Sequence, residues 1–435
     1  MKTVIMAGGR GTRIASIASN IPKPMIPIEG KPVLESEIEN LRDQGFDEII
    51  ITVSHLGEKI ENYFGDGRGV SPVTHKPFGV NIKYYFEEIP MGNAGALFKL
   101  RDQLTDDFLL LNGDVVFDID FNRFVEYHRK KGGLATLFTH PNSHPYDSGL
   151  IIAKEDASVE QWLTKEDARP EYYRNRVNAG LHVLSPGILE QMICSPKIDL
   201  DRHLLKPLAG TGKMYAYDSP EYVKDMGTPE RYASVCDDAR ADRIRMKNLS
   251  RKQRAVFLDR DGTINRYVGF LRKAEQLELL PGVAQAIRMI NASGMLAIVA
   301  TNQPVIARGE VTFEGLREIH NKMETLLGYE HAFVDDIFVC IHHPHKGYPG
   351  ERFELKMDCE CRKPKPGLLL QAAEKYNIDL SESWMVGDSE SDILAGKAAG
   401  CKTALISPSQ RDFGQTVSFA SLLEFAEQMI GYSST

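Results

Sequence analysis

The chain has 435 residues, enough for two or three domains at roughly 150 residues each. Apolar residues make up 42% and charged residues 26%, and 52 Lys plus Arg against 60 Asp plus Glu give a net charge of −8, which excludes a disordered or collagen-like chain and disfavours nonspecific binding of nucleic acid. The sequence has no apolar run of membrane-spanning length and no signal-peptide core, so we expect a soluble, cytoplasmic protein that acts without nucleic-acid or membrane partners.

The first predicted strand, Val4 to Ala7, runs directly into a glycine-rich loop. Glycines let backbone N–H groups approach a phosphate chain, and a hydroxyl and a guanidinium follow them here. The candidate phosphate ligands of this loop are Gly8, Gly9, Gly11, Thr12 and Arg13. Further along, Lys23 stands between two prolines, a rigid setting that can aim its ammonium at the same phosphates. The spacing fits neither the dinucleotide fingerprint nor a Walker loop, and a plain structural turn is the alternative.

Together these motifs resemble the signature of the sugar-1-phosphate nucleotidyltransferases, Gly-Gly-x-Gly-Thr-Arg followed by Pro-Lys-Pro. The resemblance implies a Rossmann-like domain with a mixed sheet, predicted over residues 1–238, in which Arg13 and Lys23 neutralise the reacting phosphates. It also implies two Mg²⁺ ligands, Asp114 after the strand FLLLN and Asp225 in VKDMGTP. The most similar group is the guanylyltransferases for mannose 1-phosphate and related sugars, through the nucleobase segment that holds Glu88, Gly92 and Asn93.

The same resemblance implies where the sugar binds. Gly149 and the Asn-Ala-Gly stretch with Asn178 and Gly180 are expected to lie against it. Relatives read Glu-Lys-Pro where this chain has Thr-Lys-Glu, so Lys165 is kept as the candidate ligand of the sugar phosphate while its neighbours differ. This departure leaves the identity of the sugar open.

A charge-dense stretch, residues 239–253, has little apolar content and predicts a helix end followed by a solvated linker. Strand and helix patterns alternate on both sides of it, for example FLLLNGD before a helix from Phe121 and MLAIVATN before a helix from Thr312. Such alternation predicts two α/β domains built on parallel strands, with ligands at the carboxyl ends of the strands. The second domain is predicted over residues 254–435.

The second domain opens with two carboxylates, Asp259 and Asp261, just past the predicted strand Val256 to Leu258. Paired aspartates also occur in Ca²⁺ loops and turns, but here three further polar groups follow in order. Thr301 and Asn302 end a strand, Arg362 and Lys363 supply cations, and Asp388 follows the strand WMV. This ordered set resembles the haloacid dehalogenase superfamily of phosphatases and implies a second Rossmann-like domain.

The resemblance implies a nucleophile, Asp259, that forms an aspartyl phosphate, and a general acid and base, Asp261. Mg²⁺ is expected between Asp259, the backbone carbonyl of Asp261, and Asp388. Thr301 and Lys363 are expected to hold the phosphoryl oxygens, although spacing alone does not exclude Lys365 from the role of Lys363. Short connections leave no room for a large cap domain, so small loops must select the substrate. The candidate substrate-binding residues of these loops are Asn265, Asn302, Arg308 and Arg362.

Four metal-binding side chains form two close pairs, Cys340 with His342 and Cys359 with Cys361. This pattern suits a tetrahedral, structural Zn²⁺ site, with His343 and His345 as spare candidates. The other three of the six cysteines are isolated in sequence, which suits a reducing compartment. The Cys-x-His and Cys-x-Cys spacing, followed by Arg-Lys-Pro, resembles the heptose 1,7-bisphosphate 7-phosphatases and the related histidinol-phosphate phosphatases.

The two resemblances imply consecutive reactions, because a 7-phosphatase acting on heptose 1,7-bisphosphate yields a sugar 1-phosphate. The sequence therefore predicts a bifunctional enzyme that makes a nucleotide-activated heptose, with GDP-heptose favoured, from small-molecule sugar phosphates and nucleoside triphosphates. One alternative joins a mannose 1-phosphate guanylyltransferase to a histidinol-phosphate or general sugar phosphatase. Another makes one half a noncatalytic module that senses nucleotide sugar. The sequence does not decide whether the chain forms a homo-oligomer.

Overall fold

The structure is a computed structural model that describes residues 1–9, 14, 17, 20–87, 91–191 and 197–431. Two compact units divide the chain. The first comprises Met1–His140, Gly149–Thr164 and Asn178–Asn248. The second comprises Pro141–Ser148, Lys165–Val177 and Leu249–Thr435. Each unit is built on a sheet with helices, which confirms the predicted two-domain α/β class.

The strands up to Asp225 are β1 (Lys2–Met6), β2 (Pro27–Ile28), β3 (Lys31–Pro32), β4 (Glu48–Val53), β5 (Asn81–Phe86), β6 (Phe108–Asn112), β7 (Val115–Asp118), β8 (Ala135–His140), β9 (Leu150–Ala153), β10 (Val159–Leu163), β11 (Val177–Leu184), β12 (Met214–Asp218) and β13 (Tyr222–Asp225). The helices before the second sheet are α1 (Val33–Arg42), α2 (Gly57–Phe64), α3 (Gly95–Leu100), α4 (Phe121–Lys131), α5 (Pro229–Arg240) and α6 (Arg243–Met246).

The main sheet of the first unit is mixed, as predicted. Among the described residues it has nine strands, in the order β10-β9-β11-β6-β1-β4-β5, with β8 pairing β11 and β12. Strand β1 is parallel to β4 and β6, whereas β6 and β11 are antiparallel. Successive residues of β6 enter hydrophobic clusters on opposite faces, Leu109 in one and Leu110 in the other. Because both faces of β6 are covered, its sequence is an unbroken aliphatic run rather than an alternation.

The strands of the second unit's sheet are β14 (Ala255–Leu258), β15 (Leu296–Asn302), β16 (Asp336–Cys340), β17 (Trp384–Gly387), β18 (Lys402–Ile406) and β19 (Val417–Phe419). Its helices are α7 (Val283–Ala292), α8 (Phe313–Tyr329), α9 (Gly367–Tyr376), α10 (Glu390–Ala399) and α11 (Leu422–Phe425). All six strands are parallel, in the order β16-β15-β14-β17-β18-β19. The carboxyl ends of β14, β15 and β17 therefore lie side by side at one edge, as the sequence predicted.

Helix boundaries follow the predicted signals. Phe121 begins α4 after Asp120, whose carboxylate accepts the N–H of Arg123. Thr312 caps α8 by accepting the N–H of Gly315. These caps satisfy N–H groups that have no partner inside the helix.

The predicted solvated linker is only partly solvated. Helix α5 ends at Arg240 inside it and α6 follows. Asn248, Leu249 and Gln253 are buried. Asn248 donates to Asp118 in the first unit, and the carbonyl of Leu249 accepts from Asn377 in the second. The polar residues of this stretch make specific hydrogen bonds, which composition alone did not reveal.

Two short segments from the first half of the sequence belong to the second unit, 141–148 and 165–177. Arg176 and Glu324 of α8 form an ion pair at 3.3 Å in which both side chains are 3% exposed. The N–H of Asn175 also donates to Glu324, at 3.0 Å. Thr325 accepts the N–H of Tyr173 at 2.9 Å. These bonds fix the segment 165–177 against α8.

Among the described residues, we find no helix with the length and apolar character needed to span a membrane.

Candidate active sites

The nucleophile candidate Asp259 follows β14 at the carboxyl edge of the second sheet and is buried. Its N–H donates to the carbonyl of Val386 in β17, at 2.9 Å. Lys363 donates from Nζ to Oδ1 of Asp259 at 2.7 Å and to Oδ1 of Asp392 at 2.5 Å. The lysine is buried, and although burial lowers its pKa, the two carboxylates raise that pKa above its usual value. It is therefore an ammonium held between two carboxylates.

The structure distinguishes between Lys363 and Lys365, the two lysines that spacing allowed as the ligand of the phosphoryl group. Lys363 lies at the site, whereas Lys365 pairs with Asp358 and Glu360, each at 3.0 Å. Asn302 explains the choice, since its side chain accepts the N–H of Lys363 at 3.1 Å and donates to the carbonyl of Lys363 at 3.0 Å. This two-point bond fixes the backbone from which Lys363 extends.

Three carboxylates, those of Asp259, Asp388 and Asp392, have oxygens that all lie within 4.8 Å of one another. Burial and, next, the charge of Asp392 raise the pKa of Asp388 to about 6. Burial likewise raises the pKa of Asp259. Carboxylate oxygens are the hard ligands that Mg²⁺ prefers. The three carboxylates also carry more negative charge than Lys363 alone can balance, which a divalent cation would offset. These residues therefore fit the predicted metal.

Asp261 is held apart from that group. Its carboxylate accepts from Arg260 at 2.7 Å, from Gln303 at 2.8 Å and from Asn265 at 3.0 Å. Burial raises the pKa of Asp261, but Arg260 and the hydrogen-bond donors outweigh burial and hold the pKa below its usual value. Asn265, predicted to touch substrate, thus contacts the candidate acid and base.

The remaining predicted residues of this site have defined partners of their own. Thr301 is buried at the end of β15 and its Oγ1 accepts from Gln303 Nε2 at 2.9 Å. Arg362 donates to the carbonyl of His342 at 3.2 Å. Arg308 lies between the rings of Phe270 and Tyr348, 4.3 and 4.2 Å from their centroids. Arg308 therefore joins the loops that were expected to select the substrate.

The four zinc-ligand candidates come together. Cys359 Sγ lies 3.5 Å from Cys340 Sγ and 3.2 Å from Cys361 Sγ. His342 Nδ1 lies 3.3 Å from Cys361 Sγ and 3.9 Å from Cys340 Sγ. A tetrahedron with Zn–S bonds of about 2.3 Å has edges of about 3.8 Å, so the donors fit zinc. His343 is outside the group, and its Nδ1 donates to the carbonyl of His345 at 3.1 Å.

In the first unit, the two predicted Mg²⁺ ligands both form ion pairs with one lysine. Lys23 is buried, and its Nζ contacts Asp114 Oδ2 at 2.5 Å and Asp225 Oδ1 at 3.3 Å. Arg231 pairs with Asp225 at 2.6 Å. Burial raises the pKa of Asp225, but Lys23 and Arg231 lower it to a net value below normal. Two carboxylates that share one lysine fit Mg²⁺, which takes one or two carboxylates together with substrate phosphates.

The glycine loop follows β1. Gly8 accepts from Ser54 Oγ at 2.7 Å, and Gly9 is exposed with no atom within 4 Å of where a side chain would begin. Open backbone at this position suits the approach of a phosphate chain. The predicted residues Gly11, Thr12, Arg13 and Glu88 lie outside the described residues.

Gly180 brings the predicted sugar segment beside the metal motif. It has φ +77°, and a Cβ there would lie 2.4 Å from Nδ2 of Asn112, two residues before Asp114. Asn178 accepts the N–H of Gly180 at 3.3 Å and lies 3.2 Å from His182 Nε2. This glycine is required by the close approach of Asn112.

The nucleobase candidates are anchored to residues 198–200. Gly92 has φ +84°, and a Cβ there would lie 2.3 Å from the carbonyl oxygen of Ile198. Asn93 Oδ1 accepts the N–H of Leu200 at 2.8 Å. Among the sugar candidates, Gly149 lies next to Trp162, and Lys165 is 62% exposed with Asp147 4.0 Å away.

Sequence reasoning missed three residues. Asp392 is the N3 residue of the capping box of α10, since it accepts from the N–H and Oγ of the N-cap residue Ser389 at 3.1 and 2.6 Å. Its second role as partner of Lys363 is visible only in three dimensions. Arg260 and Gln303 contact Asp261, but neither carries a motif of its own. The sequence signal that could have identified them is their place next to candidate site residues, Arg260 directly after Asp259 and Gln303 two residues after Thr301.

Comparison with known proteins supports the division of roles. Residues 2–241 match the profile of a family described as nucleotidyl transferase. Residues 203–400 match the profile described as haloacid dehalogenase-like hydrolase. The first match covers more than half of the chain.

Individual relatives match one half of the chain. A UTP–glucose-1-phosphate uridylyltransferase from Synechocystis sp. is 35% identical over 53% of this chain and 61% of its own. A mannose-1-phosphate guanylyltransferase catalytic subunit beta from Xenopus tropicalis is 27% identical over 53% of this chain and 62% of its own. The chain thus spans less than two thirds of the length of these relatives.

Among solved structures, a D,D-heptose 1,7-bisphosphate phosphatase from B. bronchiseptica, complexed with magnesium and phosphate, covers 41% of this chain and 99% of its own, with 32% identity and a TM-score of 0.36. The chain belongs to the nucleotidyl transferase family, and its second half adds a haloacid dehalogenase-like hydrolase to that transferase.

Proposed function

We propose that the chain is a bifunctional enzyme of nucleotide-sugar synthesis. The hydrolase removes the 7-phosphate of D-glycero-D-manno-heptose 1,7-bisphosphate, and the transferase joins the resulting heptose 1-phosphate to a nucleotide, with GMP from GTP favoured. The observation that carries the proposal is that each unit holds its own buried lysine between carboxylates, Lys23 in one and Lys363 in the other. A half that had lost its catalytic function would be expected to have lost part of such a charged group.

In the hydrolase reaction, an oxygen of Asp259 attacks phosphorus and the bond from phosphorus to the sugar oxygen breaks. Asp261 gives a proton to that departing oxygen. Because its pKa is low in the free site, it must take up this proton when the negatively charged substrate phosphate binds beside it. Water then attacks phosphorus, Asp261 takes the water proton, and the aspartyl-phosphate bond breaks to release phosphate. Lys363 and Thr301 hold the phosphoryl oxygens. Asp259, Asp388 and the backbone carbonyl of Asp261 would hold Mg²⁺, and the carboxylate of Asp392 lies close enough to join them. The ion would offset the negative charge gathered at the site.

In the transferase reaction, a phosphate oxygen of the sugar 1-phosphate attacks the α-phosphorus of the nucleotide, and pyrophosphate leaves. Two polyanions must approach each other, so the site must neutralise charge by position rather than by a covalent intermediate. Asp114 and Asp225 would hold Mg²⁺, which supplies part of that charge. Lys23 supplies more, and Arg13 remains a sequence-based candidate for the same task.

The pairing of the two activities supports heptose as the sugar. The Cys-x-His and Cys-x-Cys pattern around Cys340 and Cys361 resembles the heptose bisphosphate phosphatases, and the product of such a phosphatase is a substrate for a sugar-1-phosphate transferase. Histidinol phosphate would leave the first unit without a substrate. A mannose 1-phosphate guanylyltransferase joined to a general sugar phosphatase is the competing proposal.

The nucleobase needs a direct test, because one relative is named for uridylyl transfer and another for guanylyl transfer. Full-length protein is incubated with heptose 1,7-bisphosphate, Mg²⁺ and an equimolar mixture of GTP, CTP, UTP and ATP, and the products are identified by mass spectrometry. GDP-heptose with phosphate and pyrophosphate is the expected result. UDP-heptose as the product would replace guanine by uracil as the nucleobase and leave both proposed reactions in place.

Two other outcomes contradict larger parts of the proposal. Heptose 1-phosphate without any nucleotide sugar would contradict the transferase assignment. Unchanged bisphosphate would contradict the phosphatase substrate. Mannose 1-phosphate is run in parallel, and a higher kcat/KM for it than for heptose 1-phosphate would favour the competing proposal.

A further inference from the structure

A buried histidine that the proposed reactions do not use lies behind Asp261. His320 of α8 is 9% exposed, and its Nε2 is 3.1 Å from Nη1 of Arg260. A guanidinium can only donate hydrogen bonds, so His320 Nε2 must accept and the ring proton must lie on Nδ1. Burial and the charge of Arg260 lower the pKa of His320 to about 3, so the ring is neutral.

The guanidinium of Arg260 is fully buried and is fixed on several sides. Beyond His320, its Nη2 donates to Asp261 Oδ2 at 2.7 Å and to Gln303 Oε1 at 2.9 Å. A buried guanidinium keeps one orientation only when its donors are satisfied. His320 supplies the acceptor for Nη1, and this fixes the plane in which Nη2 faces Asp261.

The contact with Arg260 also fixes the side-chain amide of Gln303. Because Oε1 accepts from Arg260, the NH2 group must face the other way. It donates there to Asp261 Oδ2 at 2.8 Å and to Thr301 Oγ1 at 2.9 Å. Thr301 Oγ1 is thereby an acceptor toward Gln303, and its own proton is directed elsewhere, where a phosphoryl oxygen can take the hydrogen bond.

We propose that His320 is a positioning residue of the phosphatase, which acts through Arg260 and Gln303 to fix both the acid and base Asp261 and the phosphate ligand Thr301. The inference rests on the proposed phosphatase function. It assigns a task to a side chain on a helix that contributes no group to the chemistry. Without the acceptor Nε2 of His320, the guanidinium of Arg260 can rotate. The carboxylate of Asp261 then no longer has a fixed orientation toward the hydrolytic water.

The test separates the two chemical steps by using p-nitrophenyl phosphate. The leaving phenolate is stable without a proton, so aspartyl-phosphate formation does not need Asp261, whereas removal of the proton from water in the second step does. His320→Leu is expected to give a burst of about one p-nitrophenolate per active site in stopped flow, followed by turnover about 10²-fold slower than wild type. His320→Gln, whose amide oxygen can accept from Arg260, is expected to restore most of the turnover.

Met323→Leu, a volume-conserving change of a buried residue on the same helix, is the matched control and is expected to behave as wild type. The inference is overturned if His320→Leu keeps its turnover per active site within twofold of wild type. It is equally overturned if the burst amplitude and the turnover per total protein fall by the same factor, because the amplitude counts active sites and that result reports only a loss of folded protein. Wild-type protein that releases no p-nitrophenolate would overturn the phosphatase proposal and this inference with it.

Discussion

At the scale of single residues, Gly262 sets how closely two carboxylate-bearing loops approach each other. It has φ +88°, and a Cβ at this position would lie 2.1 Å from Oδ2 of Asp388. Gly262→Ala must therefore displace Asp388 and also strain the backbone, at a cost of about 1–2 kcal/mol for the left-handed conformation alone. We expect phosphate release to fall at least about 10²-fold, measured with p-nitrophenyl phosphate.

Gly269 provides the matched control. It has φ +79°, and no atom lies within 4 Å of where its Cβ would begin. Gly269→Ala carries the same backbone strain without the steric contact, so it should lower the free energy of unfolding while leaving kcat near the wild-type value. Equal losses of activity in the two variants would contradict a role for the contact with Asp388.

The charged residues of the two units give a reciprocal prediction. Asp259→Asn removes the proposed nucleophile and is expected to lower phosphate release at least about 10³-fold. The same variant should still release pyrophosphate from a supplied sugar 1-phosphate and nucleotide. Asp114→Ala is expected to do the reverse, because it removes a carboxylate beside Lys23. Loss of both activities in either variant would contradict independent sites.

For individual residues, the motifs predicted where a side chain lies in the fold better than they predicted which side chains it contacts. The sequence placed Asp259, Thr301 and Asp388 at neighbouring strand ends, because parallel strands bring their carboxyl ends to one edge. It could not choose between Lys363 and Lys365, since both lie in irregular backbone where side-chain direction has no fixed period. The choice depends on Asn302, which binds the backbone of Lys363 on both sides of its Cα.

At the scale of elements, the loop between β16 and α9 has little regular structure to hold it. The short 3₁₀ helix Phe353–Leu355 has no buried residue, and Cys340, His342, Cys359 and Cys361 converge at the base of the loop. We expect protein purified under reducing conditions to contain about one zinc per chain. Removal of the metal should lower the thermal stability of the second unit, because a structural zinc site contributes folding free energy directly.

Two cysteine variants test this expectation. Cys361→Ser removes a predicted ligand, whereas Cys401→Ser changes a buried free cysteine outside the group. Metal analysis should find zinc lost from the first variant and retained in the second. Zinc-free wild-type protein with unchanged thermal stability would contradict a structural metal here.

At the scale of the whole molecule, the division of the chain was the least predictable feature. Residues 165–177 show no helix or strand period, and nothing in their sequence indicates that Arg176 pairs with Glu324, far along the chain. Periodicity predicts which face of an element is buried, but not which element a polar loop will contact. The mixed and parallel sheets were predictable from local patterns, whereas the place of this segment in the second unit was not.

The segment's place in the second unit predicts what happens when residues 249–435 are expressed alone. Glu324 would keep its buried position on α8 but lose Arg176 and the N–H of Asn175. Burial already raises the pKa of Glu324 and Arg176 opposes that rise, so the isolated piece would bury either an unpaired charge or a protonated acid. An uncompensated buried charge costs about 3–5 kcal/mol, and calorimetry should show the unit unfolding at a lower temperature than in the full chain.

Glu324→Leu distinguishes this cause from a general loss of packing. In residues 249–435 the substitution removes the unpaired carboxylate and should raise the unfolding temperature, because an apolar side chain of similar length needs no partner. In the full chain the same substitution leaves Arg176 buried without its carboxylate and should lower the unfolding temperature. Opposite signs in the two backgrounds would attribute the effect to the ion pair, whereas equal signs would contradict it.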